Sequence, residues 1–154
     1  MGKVSNQRET VADAQAIKVQ KKLKKIFGHL DPEQPPEVCP IRDILAPVAD
    51  KWSILIVLFL GGHSKLRFNQ LKKMLYGVSS KSLSERLKSL EKDGYLKREM
   101  FPEVPIRVEY QLTDFGLAYL EKLLELTEWI NLHVPEVVKR RYQFQHLMEK
   151  DQSN

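Results

Sequence analysis

Residues 77–96, GVSSKSLSERLKSLEKDGYL, combine a stripe of three leucines with a glycine near each end. Leu83, Leu87 and Leu90 are four and three residues apart, which is the spacing of one face of an α-helix. A glycine after such a stripe is typical of a helix that ends in the left-handed conformation. The pattern therefore predicts one helix over about 79–93, with its leucines buried and its opposite face polar.

The residues after this helix predict a β-hairpin and then a long helix. Two strand-like runs, at 95–101 and 107–112, flank the loop PEVPI, whose prolines favour a stiff connection. In the second run apolar and polar residues alternate, as they do in a half-buried antiparallel strand. Thr113 is the predicted N-cap of the following helix, which is expected to reach about residue 132.

The residues before it predict three more elements. One helix is expected around 41–48, and a second begins after Asp50, as N-cap, and ends near Leu60, where two glycines follow. The second helix is apolar nearly all round, which predicts a central buried element. Residues 66–68 indicate a short strand, and 69–76 a helix closed by a glycine.

This element order is that of a winged helix-turn-helix. The predicted fold class is mainly α with a small β-hairpin wing. Three parts are expected along the chain: an amphipathic helix and proline-rich linker at 1–37, a winged helix-turn-helix DNA-binding domain at 38–113, and C-terminal helices at 114–154 that serve dimerisation.

The N-terminal part is predicted to hold an amphipathic helix over 9–30, which the proline-rich segment 31–37 stops. Its apolar stripe needs burial, so packing on a partner subunit is the favoured interpretation, and contact of its lysines with DNA is the alternative. The stripe consists of Val19, Leu23, Ile26, Phe27 and Leu30, and the lysines are Lys18, Lys21, Lys22, Lys24 and Lys25.

The C-terminal part is predicted as two helices, because Pro135 is tolerated in a first helical turn and permits a final helix to about residue 149. In the first of them Leu117, Leu120, Leu124 and Trp129 are expected to face inward. A dimer contact is favoured over a ligand pocket for the apolar residues further along: Val137, Val138, Leu147 and Met148.

Positive charge is concentrated in two segments, which indicates a polyanionic partner. Of the formal net charge of +5, residues 1–30 contribute seven Lys/Arg against two Asp/Glu, and residues 64–112 eleven against six. Such blocks suit DNA, with plain solubility as the alternative. The longest apolar run is far below the roughly 20 residues that span a bilayer, no secretory signal is evident, and a single cysteine excludes an internal disulfide. A cytoplasmic protein without membrane contact is expected.

The polar side of the 79–93 helix is the candidate DNA-reading surface. Lysines and a glutamate lie opposite the leucines, and small hydroxyls near the helix start permit close approach to phosphates or base edges. A wing arginine adds a contact suited to a minor groove or adjacent phosphates. An ordinary solvated face is the alternative for the helix alone. The predicted DNA contacts are Ser80, Lys81, Ser82, Ser84, Glu85, Lys88 and Arg107.

Enzyme chemistry has little support in the sequence. The four histidines show no metal-ligand spacing with one another or with the cysteine, and no glycine-rich phosphate loop is present. No catalytic residue, metal or cofactor is expected.

Four segments occur in a characteristic order: CPIRDILAPVADKWSILIVLFL, LRFNQLKKML, GVSSKSLSERLKSLEKDGYLKRE and FPEVPIRVEYQLTDFG. Together they resemble the HxlR-type transcriptional regulators of the MarR-like winged-helix group, from about Cys39 to Leu120. The resemblance implies a homodimeric, cytoplasmic, sequence-specific DNA-binding regulator with two recognition helices in successive major grooves of a roughly palindromic operator. Residues 79–88 match the recognition segment, and Arg107 matches the wing arginine. The basic N-terminal helix and the segment HVPEVVKRRYQFQHLM extend beyond the usual family length.

Cys39 is the second candidate site. It stands just before Pro40 at a predicted helix start, where backbone N–H groups can lower a thiol pKa, and Arg42 or Lys51 is near enough in sequence to assist. Some members of the family that the chain resembles sense oxidants or electrophiles through a cysteine at this position, which implies redox input. A small buried hydrophobe is the alternative.

A winged helix that binds protein, without specific DNA binding, is the rival function. It predicts little salt-dependent affinity for any duplex.

Overall fold

The protein is represented by a computed structural model that describes residues 5–27 and 39–151, with side chains described for 14–27 and 39–150. The chain divides into two compact units after Leu45.

The first unit contains helix α1 (Ser5–Phe27) and a six-residue π-helix (Pro40–Leu45). Helix α1 begins four residues before the predicted start, and its apolar Val19, Leu23 and Ile26 are about half exposed. Leu30 and the proline-rich linker lie outside the described residues. The short helix predicted around 41–48 is present over Pro40–Leu45, where it is a π-helix and ends three residues earlier than predicted.

The second unit carries the winged helix-turn-helix, and the predicted fold class is confirmed. Between its first and last helices lie the three short strands and the helix-turn-helix pair. The elements in chain order are α2 (Lys51–Gly62), β1 (Leu66–Arg67), α3 (Phe68–Met74), α4 (Ser80–Lys92), β2 (Leu96–Phe101), β3 (Arg107–Leu112) and α5 (Asp114–Asp151).

The three strands form an antiparallel sheet in the order β1-β3-β2. Leu66 of β1 is opposite Tyr110 of β3, and Leu96 of β2 is opposite Leu112. Because successive side chains alternate between faces, these apolar residues share the side that covers the core, whereas Arg107 lies on the other side. The hairpin of β2 and β3 is the wing, and residues 102–106 form its loop.

Helix α2 is the central element of the core, as its composition predicts. Asp50 is its N-cap: a carboxylate oxygen accepts the backbone N–H groups of Trp52 and Ser53 at 3.0 and 3.3 Å. Ile56, Val57 and Leu60 are buried. The predicted leucine stripe of α4 is also confirmed, since Leu83, Leu87 and Leu90 are at most 1% exposed.

The joint between α4, the wing and α5 depends on two glycines. Gly94 has φ +80°, the left-handed conformation that ends α4. Thr113 caps α5 by accepting the backbone N–H of Gly116, and its hydroxyl donates to the carbonyl of Gly94 at 2.5 Å. At Gly116 an added Cβ would lie 1.9 Å from the carbonyl oxygen of Tyr95, so only glycine permits this close approach.

Helix α5 differs most from prediction. It is one continuous helix of 38 residues that includes Pro135, where two helices were predicted. Interior proline costs a helix one backbone hydrogen bond. At Pro135 the helix is exposed on all sides in the single chain, and the carbonyl that loses its partner is therefore accessible to water.

The expected inward side of α5 is only partly correct in the single chain, because of the four predicted residues Leu120 alone packs against the core. Leu117, Leu124 and Trp129 are exposed, and Leu120 is only half-buried. Leu123 is the one α5 leucine in the core, because only the first turns of α5 reach α2 and the sheet. Among the described residues no helix is both long and apolar enough to cross a membrane.

Candidate nucleic-acid interface

Helix α4 is positioned as the second helix of a helix-turn-helix. Helix α3 precedes it, and the turn between them contains Gly77 at φ +88°. Ser79 caps α4, because its hydroxyl oxygen accepts the backbone N–H of Ser82 at 3.0 Å. The buried leucines hold one face of α4 on the core, so the opposite face is necessarily presented to solvent.

The exposed face of α4 keeps several of the predicted contact residues unengaged. Within the described part of the chain, Lys81, Ser84, Glu85 and Lys88 make no side-chain hydrogen bond or ion pair, and all four are exposed. A major groove presents donors and acceptors that such side chains can bond directly. The fold therefore brings these four predicted residues together on one exposed surface.

Two of the predicted serines already have partners. The hydroxyl of Ser80 accepts a hydrogen bond from the ammonium of Lys72 at 2.5 Å. Ser82 is half-buried, and its hydroxyl accepts a hydrogen bond from the hydroxyl of Ser79 at 3.0 Å. Ser82 thus belongs to the cap of α4. Lys72, in α3, is a residue that the sequence argument missed, although its place in a basic block one helix before α4 was a signal.

Arg86 lies on the flank of α4 and serves its packing. Its guanidinium Nε is 3.4 Å from a carboxylate oxygen of Asp50, the N-cap of α2. That nitrogen is enclosed and has no hydrogen-bond partner, so the contact is an ion pair without hydrogen-bond geometry. It joins the start of the central helix to the candidate recognition helix.

Arg107 occupies the last paired position of the wing, opposite Phe101, and its side chain is not free. It is 23% exposed, and its guanidinium donates to Glu103 from Nη2 at 2.8 Å and to Glu109 from Nη1 at 2.5 Å. The guanidinium carbon also lies 3.8 Å from the ring centroid of Phe101. Two nearby carboxylates, which the sequence does not predict as partners, thus hold the side chain of Arg107 against the wing.

Further charges complete a network on this outer face of the wing. The Lys65 ammonium is 2.9 Å from Glu99 and 3.7 Å from Glu109. The hydrogen bond with Glu99 raises the pKa of Lys65, and the same contact lowers the pKa of Glu99. The wing therefore presents paired charges and not a uniformly basic surface.

Cys39 lies in the first unit and is half-exposed. Its backbone N–H donates to the Asp43 carboxylate at 2.7 Å, and Arg42 donates to the same carboxylate. Hydrogen bonding from Arg42, followed by that from Cys39, lowers the pKa of Asp43 to about 2. Arg42 is thus paired with the carboxylate that also accepts the backbone N–H of Cys39. In the described ranges no three His, Cys, Asp or Glu residues are grouped to hold a metal.

A helix-turn-helix packed on a three-stranded sheet, with a hairpin wing after its second helix, is the architecture of the winged-helix class. The HxlR-like helix-turn-helix family matches residues 47–138. The chain belongs to that family, and it is a transcriptional regulator of the helix-turn-helix type and not an enzyme.

Curated and solved relatives agree with this assignment. The uncharacterized HTH-type transcriptional regulator YtfH of Escherichia coli K12 is 40% identical over 127 residues, which are 81% of this chain and 94% of YtfH. The solved YtfH of Salmonella typhimurium is 40% identical with a TM-score of 0.62, over 69% of this chain and 94% of its own. YodB of Bacillus subtilis after diamide treatment is 30% identical with a TM-score of 0.53, over 63% and 96%.

Proposed function

We propose that this chain is a sequence-specific DNA-binding regulator that acts as a homodimer on a roughly palindromic operator. One observation carries the proposal: α4 buries its leucine stripe completely while Lys81, Ser84, Glu85 and Lys88 stay exposed and unbonded on the opposite face. In a helix-turn-helix this helix enters the major groove and the preceding helix crosses the backbone.

The exposed residues of α4 take different roles. Lys81, Ser84 and Glu85 lie in the first two turns and contact base edges. Ser80 joins them when Lys72 leaves its hydroxyl and binds a DNA phosphate instead. Lys88, one turn further along, contacts backbone phosphate. Ser82 stabilises the start of α4 and so acts on DNA indirectly, because it helps to orient the N-terminal N–H groups of the helix toward a phosphate.

The roles of α4 are tested by salt dependence. Lys88→Ala should weaken binding about equally on all duplexes and should reduce the slope of log K against log salt by about one per protomer. Lys139→Ala, which removes an exposed lysine far along α5, is the matched control and should leave the slope unchanged. A Lys88→Ala protein with the wild-type slope would remove Lys88 from the phosphate contacts.

Arg107 is the proposed wing contact. Arg107→Ala should weaken binding, because the guanidinium is the cation nearest the wing loop that can reach a minor groove or an adjacent phosphate. Lys65→Ala, which removes another cation from the same network, is the control for a general loss of charge. Equal affinity of Arg107→Ala and wild type would exclude Arg107 from the interface.

A homodimer is proposed through α5, with α1 as a second contributor. Beyond Leu123 the apolar side chains of α5 are exposed in the single chain and need a partner surface. They repeat at alternating three- and four-residue steps, which is the heptad pattern of helix pairing. The exposed apolar positions in this series are Ile130, Val134, Val137, Phe144 and Met148, and the polar Thr127 and Arg141 occupy two further positions of the same series. We also propose the division at 1–37, 38–113 and 114–154 and, because the proposed partner is DNA, a cytoplasmic site of action.

Redox control through Cys39 is proposed as an input to this regulator. It is supported by the half-exposed thiol and by YodB, which has been solved both reduced and after treatment with diamide. Diamide should modify Cys39 and change operator affinity, and Cys39→Ser should abolish that change. Mass spectrometry that finds neither an adduct nor a Cys39–Cys39 crosslink, together with unaltered binding, would exclude the input.

A second candidate function, docking on protein, is favoured by one feature of the wing. Val104 and Ile106 in the wing loop are strongly exposed, and an apolar tip suits a protein surface as well as a minor groove. This candidate predicts that no duplex binds with a steep salt dependence.

A further inference from the structure

Glu103 and Glu109 place two carboxylates against the single guanidinium of Arg107. Three contacts from that guanidinium reach Glu103: Nε at 3.1 and 3.0 Å from its two oxygens, and Nη2 at 2.8 Å from one of them. Nη1 reaches Glu109. Glu103 therefore occupies the Nε and Nη2 side of the guanidinium, one of the two sides that can bind a phosphate with paired donors.

The two carboxylates differ in how readily they can move away from Arg107. Glu109 lies within β3 and is 14% exposed, so the strand fixes its position. Glu103 lies in the loop between the strands and is 53% exposed. Glu103 can rotate into solvent without any change in the sheet, whereas Glu109 cannot.

The surroundings of Glu103 resemble a small anion site. A cleft of about 510 Å³ separates the wing loop from the start of α3, and its lining includes Arg67, Glu103 and Arg107. The hydrogen bonds from Arg107, with a smaller contribution from the charge of Arg67, lower the pKa of Glu103, so this residue is a carboxylate at neutral pH. A carboxylate and a phosphate compete for the same arginine donors.

We propose that Glu103 is an internal competitor for DNA phosphate at Arg107, and that it sets how strongly the wing contributes to DNA affinity. The inference rests on the proposed DNA-binding function. In the free protein Glu103 occupies the guanidinium, and on the operator a phosphate takes its place while Glu103 turns into solvent. Glu109 keeps Arg107 on the wing throughout and acts as a positioning residue.

The test uses the full chain and Glu103→Gln, which keeps the shape of the side chain and removes its charge. Affinity for one 30-base-pair duplex is measured across a salt series by fluorescence anisotropy. Glu103→Gln should bind about three- to tenfold more tightly than wild type near 0.1 M salt, and the ratio should approach one as salt rises, because the competition is electrostatic. Thermal melts verify that the variant is folded.

Two further variants separate this mechanism from a general charge effect. Glu99→Gln removes the same charge from the same wing, but its partner is Lys65, so its gain should be smaller. In an Arg107→Ala background Glu103→Gln should give no gain, since Glu103 acts through Arg107. A gain that persists in that background would overturn the mechanism.

The remaining outcomes of the binding experiment distinguish failure of this inference from failure of the proposed function. If wild type binds the duplex and Glu103→Gln binds equally or more weakly, the inference fails alone, and Glu103 orients Arg107 for binding. If wild type binds no duplex with salt dependence, the proposed function fails and the inference fails with it.

Discussion

Gly116→Ala should be among the most damaging single-methyl changes in this protein. The added Cβ would lie 1.9 Å from the carbonyl oxygen of Tyr95 and 2.9 Å from its carbonyl carbon, where ordinary contact begins at 3.4 Å. Both atoms belong to backbone, so no side-chain rotation relieves the clash. The first turn of α5 must move away by more than 1 Å.

The expected cost follows from what that movement breaks. Overpacking of this kind costs about 1–3 kcal/mol. The shift also separates the backbone N–H of Thr113 from Tyr95 O, at 3.1 Å, and the Thr113 hydroxyl from Gly94 O, at 2.5 Å, and each such bond is worth about 0.5–1.5 kcal/mol. Alanine recovers up to about 1 kcal/mol of helix propensity. We therefore expect the free energy of unfolding to fall by about 3 kcal/mol.

Urea denaturation at a fixed protein concentration measures this change. The matched control is Gly62→Ala at the end of α2, where an added Cβ meets nothing within 4 Å and the free energy of unfolding should stay equal or rise by up to about 1 kcal/mol. A Gly116→Ala protein that loses less than about 1 kcal/mol, with an unchanged denaturant slope, would refute the close-approach argument.

Three further predictions address the core, the dimer and the wing. Leu87→Ala should lower the free energy of unfolding by about 2–5 kcal/mol through a core cavity, whereas Lys88→Ala on the adjacent exposed position should change it by less than about 0.5 kcal/mol, both by urea denaturation. Val137→Glu should give monomers in sedimentation velocity. The control Lys139→Glu, on the opposite side of α5, should sediment as wild type. A Val137→Glu protein that remains dimeric would refute the α5 interface. Arg107 lowers the pKa of Glu103 below the ordinary glutamate value of about 4.3. The pair therefore stabilises the wing fully above that ordinary value, and the stabilisation is lost as pH falls through the lower pKa of the folded state. Glu103→Gln should accordingly flatten the acid dependence of the wing amide shifts in NMR.

The sequence predicted the winged-helix architecture well because local signals and burial agreed there. The leucine spacing of α4, the Asp50 cap and the alternation in β3 each had one structural interpretation, and each appears in the fold. The sequence places Gly116 at the start of α5 but does not reveal that it is essential, because the atom it approaches, Tyr95 O, is distant in sequence.

The errors arose where periodicity alone cannot decide. Two helices were predicted around Pro135 because a helix start is the commonest place for proline, but an exposed helix tolerates the lost bond. The apolar side of α5 predicts burial without saying what covers it, so Trp129 was assigned to the core of the single chain and is in fact 58% exposed there. Likewise the charge of Arg107 was visible in the sequence, but its two carboxylate partners depend on the hairpin geometry.

Selection of bound duplexes from a random pool tests the central claim most directly, with wild type, Glu85→Ala and oxidised wild type in parallel. Wild type should enrich an inverted repeat whose half-sites are about one helical turn apart, and Glu85→Ala should change the preferred bases at one position of each half-site. No enriched sequence with wild type, or the same enriched sequence with Glu85→Ala, would contradict the assignment of α4 as the helix that reads DNA.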